Sequence, residues 1–189
     1  MESALIVSCT DKNTAFFTDM LKAASITQIV LLQSCAEARR LLLERDFDLV
    51  VINSPLYDES GEDLSRHIAS KNTSQVILAV DSEHLAEVAA VCEGEGVLTV
   101  SKPLDRDVFW LVLALAKSAY NKLQRVQIEN SKLKQKIEDI RIIDRAKLVL
   151  ISYMNMSEKE AHRFIEKQAM DLRSTKRAVA DGLLKTYES

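Results

Sequence analysis

Asp48-Leu-Val-Val-Ile-Asn53 is a run of four aliphatic side chains closed at both ends by polar ones, the length of one strand. Continuous hydrophobicity, in place of alternation, predicts a strand covered on both faces. Runs of the same kind occur at Ala4–Val7, Ile29–Leu32, Val76–Val80 and Val97–Val100. Helical patterns separate them. One covers Asn13–Ala24, with Phe16, Phe17, Met20 and Leu21 inward. The next starts at a Ser34-x-x-Glu37 capping signature and ends near Glu44. Gly61 opens a third after a polar loop, and a fourth runs from about Glu83 to Glu93. This alternation predicts an α/β fold, a doubly wound five-stranded parallel sheet with helices on both faces. Ligands gather at the carboxyl ends of strands in such sheets, which directs attention to Ser8-Cys9, Asn53, Val80 and Lys102-Pro103.

The strand order, the Asp48–Asn53 strand and Ser101-Lys102-Pro103 resemble the receiver domain of two-component response regulators, which has a flavodoxin-like fold, over roughly residues 1–120. In that family an acidic pair after the first strand holds magnesium and an aspartate ending the third strand accepts phosphate. A Ser or Thr ends the fourth strand, and a lysine precedes a proline after the fifth. Here Ser8-Cys9 stands for the acidic pair, Asn53 for the phosphoacceptor and Val80 for the hydroxyl; only Lys102 remains. An amide is a poor nucleophile, and magnesium binds poorly without carboxylates. The resemblance therefore implies a receiver-like body that does not accept phosphate and serves as a docking or dimerising module. Asp11, Asp58 and Asp81 lie near the same rim, but their offsets do not restore the pattern.

Overall charge is −3, yet residues 141–189 hold ten Lys/Arg against seven Asp/Glu, so that end carries +3 and residues 1–140 carry −6. A basic end on an acidic body suits a polyanionic partner, as well as an ordinary solvated surface. Cys9, Cys35 and Cys92 are odd in number and lack C-x-x-C spacing, which fits a reduced, cytoplasmic setting. His67, His84 and His162 have no ligand spacing, so no metal or other cofactor is expected. No signal-peptide pattern and no membrane-spanning apolar run is present.

After Pro103 the only glycine is Gly182, and Asp105 or Asp107 can start a long helix. A heptad is readable from Val112 onward. Val112, Ala119, Val126, Leu133 and Ile140 take d, while Ala116, Leu123, Asn130 and Ile137 take a. A single asparagine at a specifies a parallel two-stranded coiled coil, so residues 112–140 are expected to pair two copies of the chain. Leu123, Val126, Asn130, Leu133 and Ile137 would form the seam. Intramolecular packing of the same helix is the competing reading.

Helical periodicity continues through Ile142, Ile143, Ala146, Val149, Leu150 and Tyr153. Asn155-Met156 marks a turn and Ser157–Glu160 a capping box. A second helix buries Ala161, Phe164, Ile165 and Ala169. After a break at Arg173-Ser174-Thr175 a third carries Val179, Ala180, Leu183 and Leu184. Asp144-Arg-Ala-Lys147, Leu150-Ile151, Met156–Ala161, Ala169-Met170 and Val179-Ala180 together resemble the ANTAR domain, an RNA-binding output module of antitermination regulators. Leu148 and Lys176 depart from it, replacing a common glycine and a common apolar residue.

Three segments are expected: a pseudo-receiver over 1–120, a coiled-coil connector over 112–140, and an ANTAR-like helical domain over 141–189. The resemblance implies a non-enzymatic regulator of transcription antitermination that binds paired stem-loops in leader transcripts as a homodimer. Candidate RNA contacts are Arg145, Lys147, Arg163, Lys167, Arg173, Lys176 and Arg177, with Ser174 and Thr175 as polar contacts at a helix start. Two other classes stay open. Three small helices also suit a duplex-DNA regulator, and the first domain suits a protein adaptor.

Overall fold

The computed structural model describes residues 1–187, so Glu188 and Ser189, which close the expected third segment, lie outside the described residues. The chain divides into two compact units, Met1–Arg125 and Val126–Ser189.

In the first unit, strands β1 (Ser3–Val7), β2 (Gln28–Leu32), β3 (Leu49–Asn53), β4 (Gln75–Asp81) and β5 (Leu98–Lys102) form one parallel sheet in the order β2-β1-β3-β4-β5. Helices α1 (Asp11–Ala23), α2 (Cys35–Glu44), α3 (Glu62–Ser70) and α4 (Leu85–Cys92) fill the crossovers. The continuous apolar strands do what their pattern predicts, because alternate residues enter opposite layers. Leu5, Val7, Val50, Ile52, Leu78 and Val80 pack with Leu64 and Ile68 of α3 and Val88 of α4. Ala4, Ile6, Leu49, Val51, Ile77 and Ala79 face the other way, onto Phe17 and Leu21 of α1 and Phe109 and Leu113 beyond β5. The order reverses between β1 and β3, where Val7 sits beside Ile52, and this puts Ser8 and Asn53 together at the switch point.

Local signals set the helix ends. Ser34 Oγ accepts from the Glu37 amide at 3.2 Å, while the Glu37 carboxylate reaches back to the Gln33 amide. Gly61 starts α3 at φ +88°, and a Cβ there would lie 2.7 Å from Ile52 Cγ2. Both the backbone sign and the approach require glycine. The fourth helix is shorter than its pattern suggests, since Glu93–Glu95 turns as a 3-10 segment before the buried Val97.

The last helix of this unit, α5, runs from Arg106 to Met154, with Asp105 Oδ1 accepting from the amides of Asp107 and Val108 at 2.9 Å. Its first turns lie ahead of the expected seam of Leu123, Val126, Asn130, Leu133 and Ile137. Ala116 is fully buried and Val112 packs beside it in the sheet core, so neither is free to meet a second chain. Those heptad positions are apolar for an intramolecular reason. Farther along, Val126, Leu133, Ile137 and Ile140 are all exposed at 45% or more.

Tyr120 ties α5 to the sheet. Its hydroxyl donates to Asp48, whose carboxylate also accepts from the backbone amides of Glu2 and Ser3. Burial alone would raise the Asp48 pKa, but these hydrogen bonds outweigh it and hold the carboxyl below its ordinary value of 3.8. The same burial, with Asp48 beside it, pushes Tyr120 up to about 12. A depressed carboxyl stabilises the fold above its unfolded value and loses that contribution as pH falls through the folded one. Asp48→Asn is therefore expected to weaken the first unit at pH 7 and to flatten the loss of melting temperature below pH 3.8. Thermal melts across that range check it.

In the second unit the end of α5 packs with α6 (Glu158–Asp171) and α7 (Lys176–Tyr187). The expected first short helix is thus the tail of α5. Ala146, Leu150, Ala161, Ile165 and Ala180 form the buried core, with Met156, Phe164, Val179 and Leu184 against it. Ser157 and Glu160 close the capping box on each other's amides at 3.3 and 2.8 Å.

Candidate functional site

The strand-end site of the first unit is a neutral hydrogen-bond net. Asn53 ends β3, is 2% exposed, and donates from Nδ2 to Ser8 Oγ and Thr10 Oγ1, each at 3.1 Å. Its Oδ1 accepts from Asn13 Nδ2 at 3.2 Å. Thr10 and Asn13 are members that the sequence did not single out. They are brought in by the turn from β1 into α1, and only the fold places them opposite Asn53.

Val80 is buried and turns into the helix layer. Cys9 is half-buried, and its Sγ donates to the Pro55 carbonyl at 3.3 Å. Lys102 donates to the Ser54 carbonyl and pairs with Asp81 at 3.1 Å, so its charge is held by a structural ion pair.

Magnesium takes oxygen ligands that include carboxylates. Ser8, Cys9 and Asn53 supply none, and the Asp81 carboxylate faces an ammonium, so these side chains do not fit the ion. Asp58 is committed elsewhere. Its carboxylate caps α2 through the amides of Cys35 and Ala36 at 3.0 and 2.9 Å. Cys35, Asp58 and Glu59 do cluster, but burial, reinforced by the two carboxylates, pushes the thiol up to about 12. Glu59 pairs with Arg39 at 2.7 Å. Both carboxylates of the cluster are thus already engaged, one as a helix cap and one in an ion pair.

The second unit sorts its cations into two groups. Lys147 is 14% exposed and bridges Asp144 at 2.8 Å and Glu158 at 3.3 Å, holding α5 to the start of α6. Lys176 joins Glu166 at 2.5 Å. Arg177 reaches Asp139 at 2.6 Å and Asp181 at 3.6 Å. These three sequence candidates are occupied in packing. Thr175 is also partly engaged, as its Oγ1 caps α7 by accepting from the Ala178 amide at 3.1 Å.

Arg163 and Lys167 are exposed and, among the described residues, have no side-chain partner. Lys159, which the sequence did not single out, is exposed one turn before Arg163. Spacing of four residues puts all three on one face of α6. That i, i+4, i+8 spacing was the signal available to find it. Arg173 and Ser174 follow at the α6–α7 turn, both exposed, and Arg145 is exposed on α5. The turn is a Schellman motif, with Ser174 N donating to Ala169 O and Arg173 N to Met170 O. Arg173 sits at its left-handed position, φ +48°, where glycine is the usual occupant.

Among the described residues no helix is long and apolar enough to cross a membrane. Residues 131–184 match the ANTAR domain. Over 139 residues the chain is 25% identical to the transcriptional regulatory protein PdtaR of Mycobacterium tuberculosis, covering 74% of this chain and 68% of that one. Among solved structures, the signal receiver domain of an HD domain-containing protein from Pseudomonas fluorescens aligns with TM-score 0.56 at 21% identity. It covers 65% of this chain and 91% of its own. An AraC two-component transcriptional regulator from Clostridium phytofermentans aligns with TM-score 0.58 at 18% identity, covering 66% and 98%. These likenesses establish the fold of the first unit, and the family match establishes the character of the second. Residues 131–184 are therefore an ANTAR domain, and the first unit ahead of them has the receiver fold.

Proposed function

We propose that this protein binds paired RNA stem-loops in leader transcripts and thereby regulates transcription antitermination, acting as a binding protein and not as a catalyst. The supporting observation is the unpaired basic row Lys159, Arg163 and Lys167 on α6, inside the ANTAR-matching segment. Unpaired cations on one helix face suit a phosphate backbone, and hairpin loops offer splayed bases beside it. Arg145, Arg173 and Ser174 extend the proposed contact surface. Residues 1–120 act as a pseudo-receiver, 112–140 as the connector and 141–189 as the RNA-binding domain. A transcriptome-wide crosslinking map tests the reading. Crosslinks concentrated on hairpin pairs upstream of terminators support it, and a map without RNA crosslinks contradicts it.

The pseudo-receiver works without aspartyl phosphate, because Asn53 is enclosed by the neutral side chains of Ser8, Thr10 and Asn13. Treatment with a small phosphate donor is expected to leave no acyl phosphate anywhere in the first unit, as read by intact mass. A label on Asp11 or Asp58 would overturn this.

The connector pairs two copies in parallel through Leu123, Val126, Asn130, Leu133 and Ile137, giving two RNA-binding units one tether. Effective concentration then strengthens the second hairpin contact. Asn130→Ile is expected to raise the melting temperature by several degrees while admitting other oligomers, since an asparagine that pairing would bury specifies the two-stranded state at some cost. Light scattering coupled to sizing reads the oligomers, and a thermal melt reads the stability. A monomeric wild type at micromolar concentration would contradict the dimer.

A further inference from the structure

Between α2 and α3 the first unit holds a cleft of about 180 Å³. It borders the segments leading into β3 and β4, so it lies at the amino ends of the strands, opposite the Asn53 net. Leu42, Leu64 and Ile68 give it an apolar wall. Arg40, His67 and Lys71 also line it and, among the described residues, their side chains make no ion pair or hydrogen bond. The charge of Arg39 is already balanced by Glu59 at 2.7 Å. Arg40 and Lys71 face one carboxylate, that of Asp46, and this leaves one unmatched positive charge.

A second observation points to a ligand. Ser74 is only 6% exposed, lines the same cleft, and its hydroxyl has no partner among the described residues. A buried hydroxyl left unsatisfied is destabilising, and a bound acceptor relieves that. Size narrows the class, because an apolar cavity of about 150 Å³ accommodates benzene. A single excess charge selects a monoanion over a phosphate dianion.

We propose that this cleft is a binding site for a small monocarboxylate with a ring-sized apolar body. The carboxylate lies at the Lys71–Ser74 turn, with Arg40 completing the charge, and the body covers Leu42, Leu64 and Ile68. This gives the receiver-fold unit a small-molecule input that needs no phosphoryl chemistry, and it stands independently of RNA binding.

The test uses the full chain with benzoate, its neutral analogue benzamide and inorganic phosphate as probes, followed by amide NMR and calorimetry. Benzoate is expected to shift amides of Leu42, Ile68 and Ser74 and to bind at least about tenfold more tightly than either other probe, a difference of about 1.4 kcal/mol. Arg40→Gln with Lys71→Gln, both at the surface, is expected to remove that preference while leaving the fold's amide pattern intact. No saturable benzoate shifts in wild type at millimolar probe would overturn the site. Equal binding of benzamide or phosphate would overturn the assigned class, as would a variant that keeps the preference. Mapping on the wild type decides the matter even if the double variant is poorly folded.

Discussion

Ile165→Ala is expected to unfold the second unit while the first keeps its own melting transition. Among the described residues the fully buried cluster there contains three alanines, with Leu150 and Ile165 as its two large side chains and partly buried ones packed around them. Ile165 is 1% exposed, so truncation removes most of one of the two. Such a substitution costs about 2–5 kcal/mol. A core of this size rarely supplies more than about 3–5 kcal/mol in total. The cost therefore matches the whole stability of the unit. Helical circular dichroism should fall, and proteolysis should trim the chain toward residues 1–125. A variant that melts like wild type and resists trimming would show that the unit draws its stability from elsewhere.

Lys159→Gln, Arg163→Gln and Lys167→Gln combined are expected to weaken RNA binding roughly a hundredfold near physiological salt. Removing one phosphate-binding cation lowers the slope of log affinity against log salt by about 0.7–0.9, so the slope should fall by about 2–3. Stability should hardly change, because these side chains are exposed and unpaired. Lys147→Gln gives the opposite pattern, since it removes the ion pair with Glu158 that fastens α5 to α6, along with its pair to Asp144 within α5. Arg173→Gly separates the two roles at one residue. Glycine relieves a left-handed backbone that costs other residues roughly 1–2 kcal/mol, so stability should hold or rise while RNA affinity falls. Unchanged RNA affinity in the triple variant would remove α6 from the proposed interface.

How far the sequence could be read depends on whether a signal was local. Leu49–Ile52 is apolar throughout because helices cover both faces, and that information sits in the residues themselves. The caps at Ser34 and Ser157 were equally legible, each bonding three residues onward. Ala116 fits the heptad yet is buried inside the first unit. A helix face buried against its own sheet and one awaiting a second chain carry the same heptad spacing. The missing carboxylate at Asn53 could be seen from its strand position, but its enclosure by Thr10 and Asn13 depends on residues about forty positions away. The cations failed in the same way. Arg177 looks as free as Arg163 until folding brings Asp139 within 2.6 Å of it.

The receiver-fold body and the basic helical unit support one account, in which a phosphate-independent platform delivers paired RNA-binding surfaces. Its most direct test is a gel-shift titration of the full chain against a two-hairpin leader RNA taken from the crosslinking map, beside duplex DNA of the same sequence. The account predicts saturable RNA binding, abolished by deleting the second hairpin or by the α6 triple substitution, and DNA binding weaker by at least about a hundredfold, or about 2.7 kcal/mol. Equal or tighter binding to the duplex DNA would contradict it.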